Sequence, residues 1–190
     1  MERENHFLVV LKIGNYEKER AIAVFCRLCG DRHFWNRKIP MNRVNDLGQR
    51  EGYWRDSVGG GFVYDLYYKG GKKDGLYKRF YRNKLFLFGE YTADNISGTW
   101  YMFGDEGELR CTIDSIELNK DSIYTGYCRI FCKYKCHSID YYPSGAVKSE
   151  GYMVCDEEFE IEIWEIGEWK YYDESGNLIK TKDYGDRRTP

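Results

Sequence analysis

Several features that mark membrane proteins and nucleic-acid-binding proteins are scarce or missing in this chain of 190 residues. The net charge of −2 is close to zero, so no overall electrostatic field favours nucleic acid as a partner. No apolar stretch is long enough to span a membrane, and the two acids among the first six residues are unlike a secretory leader. We therefore expect no nucleic-acid partner and no membrane-spanning segment.

Sequence motifs of catalysis are also missing. The chain has only three histidines, which are scattered, and it contains no Gly-x-Ser-x-Gly elbow, phosphate-binding loop or dinucleotide fingerprint. The glycine run at 59–61 is followed by no helix start, which favours a long hairpin loop over a phosphate cradle. The sequence predicts a protein that is not an enzyme and uses no cofactor.

The seven cysteines are an odd number, which favours reduced thiols in the cytoplasm over a disulfide framework. Cys26 and Cys29 have the spacing of a metal or redox pair. Cys128, Cys132 and Cys136 recur every four residues, which would place three thiols on one face of a strand. Because no second pair has a standard spacing, we expect buried free thiols and no metal. A metal-binding or enzymatic use of this cysteine cluster stays as an alternative.

What the chain does contain is aromatic residues, at 17% of the sequence, placed at regular intervals. Glycines recur every 23 residues, at Gly52, Gly75 and Gly98. Each is followed two residues later by an aromatic residue: Trp54, Tyr77 and Trp100. A fixed period in this range indicates a repeat architecture. We expect these aromatics, with Trp169, to stack on their equivalents in neighbouring repeats.

The repeat unit reads as a hairpin. In the last unit, Trp169 and Tyr171 alternate with Lys170, as in a strand with one buried face. The turn that follows places Asp173 before Gly176, a residue suited to the left-handed conformation. In four units the turn residue is followed two places later by an aliphatic residue: Asn83 by Leu85, Gly107 by Leu109, Gly145 by Val147 and Gly176 by Leu178. We expect positive φ at Asn83 and Gly176, and largely buried aliphatics.

The motif at 68–81, Tyr-Lys-Gly-Gly-Lys-Lys-Asp-Gly-Leu-Tyr-Lys-Arg-Phe-Tyr, is similar to the MORN repeat (membrane occupation and recognition nexus). The stretch at 171–176, Tyr-Tyr-Asp-Glu-Ser-Gly, resembles a bacterial branch of that family whose members are often labelled antitoxin-like. The resemblance covers residues 48–184, with a departure at 114–138. It implies an elongated, twisted antiparallel sheet of successive hairpins.

The predicted fold class is all-β, an elongated single antiparallel sheet of tandem MORN-type β-hairpin repeats with about five units. Residues 1–45 are predicted to be an N-terminal β segment that caps the array. The array itself spans 46–184, with an atypical insert near 114–138, and residues 185–190 form a tail.

The predicted function is a non-catalytic protein-interaction scaffold, an antitoxin-like partner of another protein. Residues 150–174 carry an excess of acids, and the alternation of Glu158, Glu160 and Glu162 with apolar residues places the three carboxylates on one side of a strand. Together with Tyr171 and Tyr172, this acidic stripe predicts a basic protein partner.

A second interpretation is a membrane-surface module that binds anionic lipid. Residues 69–84 are strongly basic, and each surface-proximal basic residue can contribute about 1 kcal/mol to such binding. The side chains assigned to this alternative are Lys69, Lys72, Lys73, Lys78 and Arg79.

Overall fold

The computed structural model describes residues 41–120, 132–156 and 164–185. These residues form one open antiparallel sheet of eleven strands, and the order of the strands in space follows their order in the chain. The all-β class and the architecture of consecutive hairpins are therefore confirmed. The predicted N-terminal cap, up to residue 40, and the tail from residue 186 lie outside the described residues.

The strands run through the described residues with short turns between most of them. Their bounds are β1 Arg43–Val44, β2 Arg50–Ser57, β3 Phe62–Lys69, β4 Lys72–Tyr81, β5 Lys84–Thr92, β6 Asn95–Phe103, β7 Leu109–Leu118, β8 Tyr134–Tyr141, β9 Val147–Cys155, β10 Trp164–Tyr172 and β11 Leu178–Asp183.

The hairpin turns use the residues that the sequence indicated. Asn83 has φ of 65° and Gly176 has φ of 84°, so both predictions of a left-handed turn residue are confirmed. In the last turn, the Asp173 carboxylate accepts hydrogen bonds from the amides of Ser175 and Asn177. Short polar side chains that bond to nearby amides are the chemistry that closes such turns.

The residue after each turn faces an aromatic residue across the hairpin, and the pairing register shifts at the same place in every unit. The pairs are Phe80 with Leu85, Phe103 with Leu109, Tyr141 with Val147 and Tyr172 with Leu178. The alignment of units is therefore confirmed. The burial of the four aliphatic side chains agrees less well with the prediction. The first three are half-buried, and Leu178 is 55% exposed. The prediction of burial is wrong at Leu178 because β11 is the last described strand, with no further described neighbour to cover it.

The region predicted as an atypical insert is strand over much of its described length. Strand β7 continues to residue 118, and β8 begins at residue 134. The pairing of the two strands shifts between Asp114 and Glu117, and Ser115 has φ of 51°. A bulge of this kind adds a residue to one strand and changes the spacing of the motif.

One face of the sheet carries the recurring aromatics, and we call it the ladder face. Directly opposed residues of antiparallel strands share a face, so the pairing, together with the contacts of Trp100 with Gly89 and of Trp169 with Gly151, traces one row across the sheet. The row contains Trp54, Leu66, Tyr77 and Gly89, then Trp100, Ile113, Ser138 and Gly151, then Trp169 and Lys182. The irregular fourth unit therefore places Ser138 where the other units place an aromatic ring.

Two tryptophans on the ladder face each cover a glycine of the preceding strand. A Cβ atom at Gly89 would overlap the ring of Trp100, and a Cβ atom at Gly151 would overlap the ring of Trp169. Trp100 is completely buried, and its indole N–H donates to the carbonyl of Ser97 at 3.1 Å. Glycine at these positions therefore provides the space in which each indole is buried.

Neighbouring rings complete the burial of Trp100. The Tyr77 ring centroid lies 5.4 Å from that of Trp100, and the Tyr91 ring meets Trp100 edge-on at 5.3 Å. The expected stacking of equivalent aromatics is confirmed for Tyr77 and Trp100. The buried cluster on this face extends from β3 to β10, so the sheet builds its core from its own side chains.

Replacing Gly89 with Ala should destabilise the protein by about 1–3 kcal/mol, because the added methyl group displaces the Trp100 ring. Urea unfolding of Gly89→Ala, Trp100→Ala and the double variant measures the coupling. The glycine substitution should have little effect in the Trp100→Ala background, since the ring it displaces is gone. Equal effects in both backgrounds would contradict this account.

Candidate protein-interaction surface

The acidic half of the predicted partner site, Glu158, Glu160 and Glu162, lies outside the described residues. Acids at its described borders, Asp156 before it and Glu165 after it, continue the negative charge. The described strands on either side are β9 and β10, which pair with each other. In the amino-acid sequence, the acidic stripe therefore lies between β9 and β10, two strands that are neighbours in the sheet.

Tyr171 and Tyr172 are half-buried and hydrogen-bonded within the protein. The Tyr171 hydroxyl lies 2.8 Å from that of Tyr184, and burial and this contact raise its pKa. The Tyr172 hydroxyl donates to the Glu150 carboxylate at 2.6 Å, which raises the pKa of Tyr172. The two hydroxyls connect β10 to Tyr184, which follows β11, and to Glu150 of β9. Alternation along the strand directs the two side chains to different faces.

The five basic residues of the lipid alternative do not share one surface. Lys69 and Lys72 are exposed and directly opposed at the β3–β4 turn. Lys73 lies on the ladder face with its ammonium 4.7 Å from the Tyr91 ring, and Lys78 is on the opposite face.

Arg79, the fifth of these residues, is buried, at 7% exposure. Its guanidinium lies against three aromatic rings, with centroid distances of 4.4 Å to Phe62, 5.2 Å to Tyr64 and 5.5 Å to Phe86. Burial of this kind makes Arg79 part of the packing between β3, β4 and β5, and it separates Arg79 from the exposed lysines.

A continuous row of side chains crosses the face opposite the ladder, and we call it the central row. It runs through Arg55, Asp65, Lys78, Phe88, Tyr101, Thr112, Ile139, Glu150, Lys170 and Thr181. Its middle is largely apolar and half-buried, with the Phe88 and Tyr101 ring centroids 6.0 Å apart. Charged residues occupy the strands on both sides of this middle part.

The charges at the N-terminal end of the central row are tightly paired. Arg55 binds the buried Asp65 carboxylate through two hydrogen bonds, of 2.6 and 2.7 Å. Burial and the hydrogen bond to Asp65 raise the pKa of Tyr53, so its phenol stays protonated at neutral pH. A two-bond contact of this kind fixes the planar guanidinium, which leaves a preorganised charged border beside the apolar middle.

The sequence could not indicate the central row, because its members are far apart in the chain and share no motif. A one-residue shift in register would move each of them to the ladder face. Only the bulges that recur in each unit determine which residues reach this face.

A histidine–carboxylate pair lies beside the central row. The Nδ1 atom of His137 is 3.5 Å from the Asp114 carboxylate, and the Tyr152 ring meets the imidazole edge-on at 5.2 Å. Tyr152 is 46% exposed. A catalytic dyad would need a nucleophile within hydrogen-bond reach of the other imidazole nitrogen, and among the described residues no hydroxyl or thiol is hydrogen-bonded to His137. The pair therefore fits a role in joining β7, β8 and β9.

The described cysteines are buried free thiols, with Cys111 half-buried. The sulfur atoms of Cys136 and Cys155 lie 3.5 Å apart, a neighbour that the sequence spacing did not suggest. Among the described residues, no three His, Cys, Asp or Glu side chains are arranged to hold a metal ion. Cys26, Cys29 and Cys128, the other members of the predicted cysteine cluster, lie outside them.

The C-terminal border of the described sheet is β11, whose six residues are all exposed. Two of its lysines rest on aromatic rings: the Lys180 ammonium lies 4.5 Å from the Tyr171 ring, and that of Lys182 lies 3.9 Å from the Tyr184 ring. Ile179 is 63% exposed. Basic and apolar side chains therefore stand together on an accessible strand that the sequence analysis treated only as a return strand.

Comparison with protein families, with curated proteins and with solved structures finds no significant match. The repeat motif is thus the basis for any family assignment. No helix in the described part of the chain has the length and apolar character needed to cross a membrane.

The buried thiols should resist modification in the folded protein. Burial raises the pKa of Cys111 to about 12, and the contact with Cys136, together with burial, raises that of Cys155. Since only the thiolate reacts, labelling at pH 8 should be much slower at both sites than in the unfolded chain. Peptide mass spectrometry with and without urea measures this. Native labelling at the rate of an exposed cysteine would contradict the described burial.

Proposed function

We propose that this protein is a non-catalytic scaffold, built of MORN-like hairpin repeats, that binds another protein in an antitoxin-like role. The observation that carries the proposal is the central row on the face opposite the ladder. Its apolar middle and charged borders match the anatomy of protein–protein interfaces, in which an apolar centre is surrounded by a polar rim.

The open repeat sheet supports this function in a second way. The ladder face is filled by the chain's own aromatic rings, so the core needs no second layer among the described residues. The opposite face is thereby left for contact over many strands. Repeat arrays use such extended surfaces for binding because each unit adds area without changing the others.

The charge of the C-terminal half supports a basic partner. Glu165 and Glu168 follow Glu158, Glu160 and Glu162 in the chain, and negative charge attracts a basic protein while it repels phosphate. In the same part of the sheet, Glu150 ends the central row's apolar middle. A basic protein that covers the central row would meet Glu150 at the end of its apolar middle.

Affinity-purified protein from its own cell should carry a stoichiometric protein partner, and Phe88→Ala should weaken that complex at least tenfold. Removal of a half-buried aromatic from the centre of an interface typically costs more than 1 kcal/mol of binding. Met102→Ala is the matched control, since Met102 is half-buried on the ladder face. Similar losses of affinity in both variants, or no recovered partner, would oppose the proposal.

Charge neutralisation tests the nature of the partner. Glu158→Gln, Glu160→Gln and Glu162→Gln together should slow association and flatten its salt dependence, without loss of the fold. The control removes three exposed acids elsewhere, with Asp46→Asn, Asp105→Asn and Glu106→Gln. Stopped-flow measurements should show slower association with the purified partner for the first variant than for the control. An unchanged association rate for the first variant would rule out the acidic stripe as the binding site.

The membrane-surface alternative has its own test. Cosedimentation with vesicles of anionic lipid at low salt, abolished by Lys69→Glu and Lys72→Glu, would favour it over the protein scaffold. Absence of cosedimentation with the wild-type protein would leave the protein partner as the interpretation.

A further inference from the structure

The outer edge of β11 has backbone groups that no described strand pairs. β11 is the last strand in the sheet order, and β10 is its only strand neighbour among the described residues. The Tyr184 amide donates inward to the carbonyl of Gly167. Pairing with β10 is regular from Lys180 to Asp183, and successive amides of a strand point in opposite directions, so the amides of Thr181 and Asp183 are directed outward. A row of outward amides and carbonyls is a template for a further strand.

The side chains of β11 divide into two sets. Lys180 and Lys182 oppose Tyr171 and Trp169, so both lysines belong to the ladder face. The ammonium group of each lysine lies over an aromatic ring, and the two lysines are two residues apart along the strand. Thr181 lies on the opposite face and is exposed, and Ile179, the extra residue at the shift in register, is exposed as well.

A second copy of this chain is a poor occupant of the edge. Two β11 strands related by a two-fold axis can pair along most of their length in only two registers, centred on Lys180 or on Thr181. The first places Lys180 opposite its own copy, and the second places Lys180 opposite Lys182. Directly opposed like charges destabilise strand pairing, so the lysines disfavour this dimer.

The same lysines favour a strand of opposite charge. We propose that the outer edge of β11 binds an extended, acidic segment of another protein by strand addition. Carboxylates at alternate positions of that segment face Lys180 and Lys182, and its backbone pairs with the outward amides of Thr181 and Asp183. The inference rests on the proposed scaffold function and adds a second contact of opposite charge preference.

Main-chain pairing gives this site its affinity, and the lysines give it selectivity. A neutral or basic strand could form the same backbone hydrogen bonds, but it would leave the two ammonium groups unpaired or opposed by like charge. Lysine on an edge strand commonly prevents unwanted pairing. Here the regular spacing of two ring-supported lysines converts that protection into a preference for acidic segments.

The test uses the full chain and three synthetic peptides of eight residues with blocked ends. The first alternates glutamate and valine, the second alternates lysine and valine, and the third is the acidic peptide with N-methyl groups on the amides of one edge. Calorimetric titration at low salt should show binding of the acidic peptide at least tenfold tighter than that of either other peptide. Amide exchange at Thr181 and Asp183 should slow when the acidic peptide is bound.

Protein variants locate the binding site. Lys180→Glu with Lys182→Glu should reverse the preference toward the lysine peptide, and Lys69→Glu with Lys72→Glu, an equal charge change at the β3–β4 turn, should leave it unchanged. Thr181→Pro is the second variant, because it removes an outward amide and keeps both lysines. It should abolish peptide binding, while urea midpoints within error of wild type show that the sheet persists.

Each outcome decides the proposal. Absence of acidic-peptide binding at millimolar concentration, or equal binding of the N-methylated peptide, would overturn strand addition at β11. Recovery of the native partner with undiminished affinity by Thr181→Pro would leave the scaffold function standing without this edge. Failure to recover any partner with the wild-type protein would instead oppose the scaffold function, and the peptide titration would still judge β11 by itself.

Discussion

The indole of Trp100 occupies the space that a side chain at Gly89 would fill, and Trp169 lies in the same way over Gly151. Among the described residues no second layer covers the sheet, so the apolar side chains of these strands are buried against the sheet itself. An aromatic ring placed over a glycine achieves this, because the ring reaches the backbone of the neighbouring strand. Full burial of one tryptophan contributes roughly 4–6 kcal/mol of transfer free energy, which makes these contacts the main source of cohesion between units.

This way of building a core explains why the two faces differ. On the ladder face, Trp100 and Trp169 fill the space over glycines of the neighbouring strand, whereas the opposite face keeps charged residues such as Asp65 and Glu150 in its central row. Its apolar middle is half-buried through contacts between neighbours in the row, as at Phe88 and Tyr101. The surface proposed for binding and the aromatic core that stabilises the sheet therefore lie on opposite faces of the same strands.

Sequence reasoning predicted the parts of the fold that depend on local chemistry. The left-handed residues Asn83 and Gly176, and the aliphatic residue after each turn, follow from turn geometry within a few residues. The contact between Cys136 and Cys155 and the pair of His137 with Asp114 depend on long-range register, which bulges alter by one residue at a time. The sequence shows a run of basic residues but not which face or depth each one takes: Arg79 is buried, whereas Lys69 and Lys72 of the same run are exposed.

β11 is the last strand of the sheet among the described residues, and its side chains determine which strands could pair with its outer edge. A further repeat unit would bring a ring to cover Leu178 and would turn Lys180 and Lys182 into interior neighbours of another strand. The exposed Leu178 and the two lysines resting on Tyr171 and Tyr184 instead give the last described strand a polar face with apolar residues beside it. The positive charge of Lys180 and Lys182 therefore limits which strands can extend the sheet at this edge. The same two ammonium groups repel a basic strand, including a second copy of β11, and attract an acidic one.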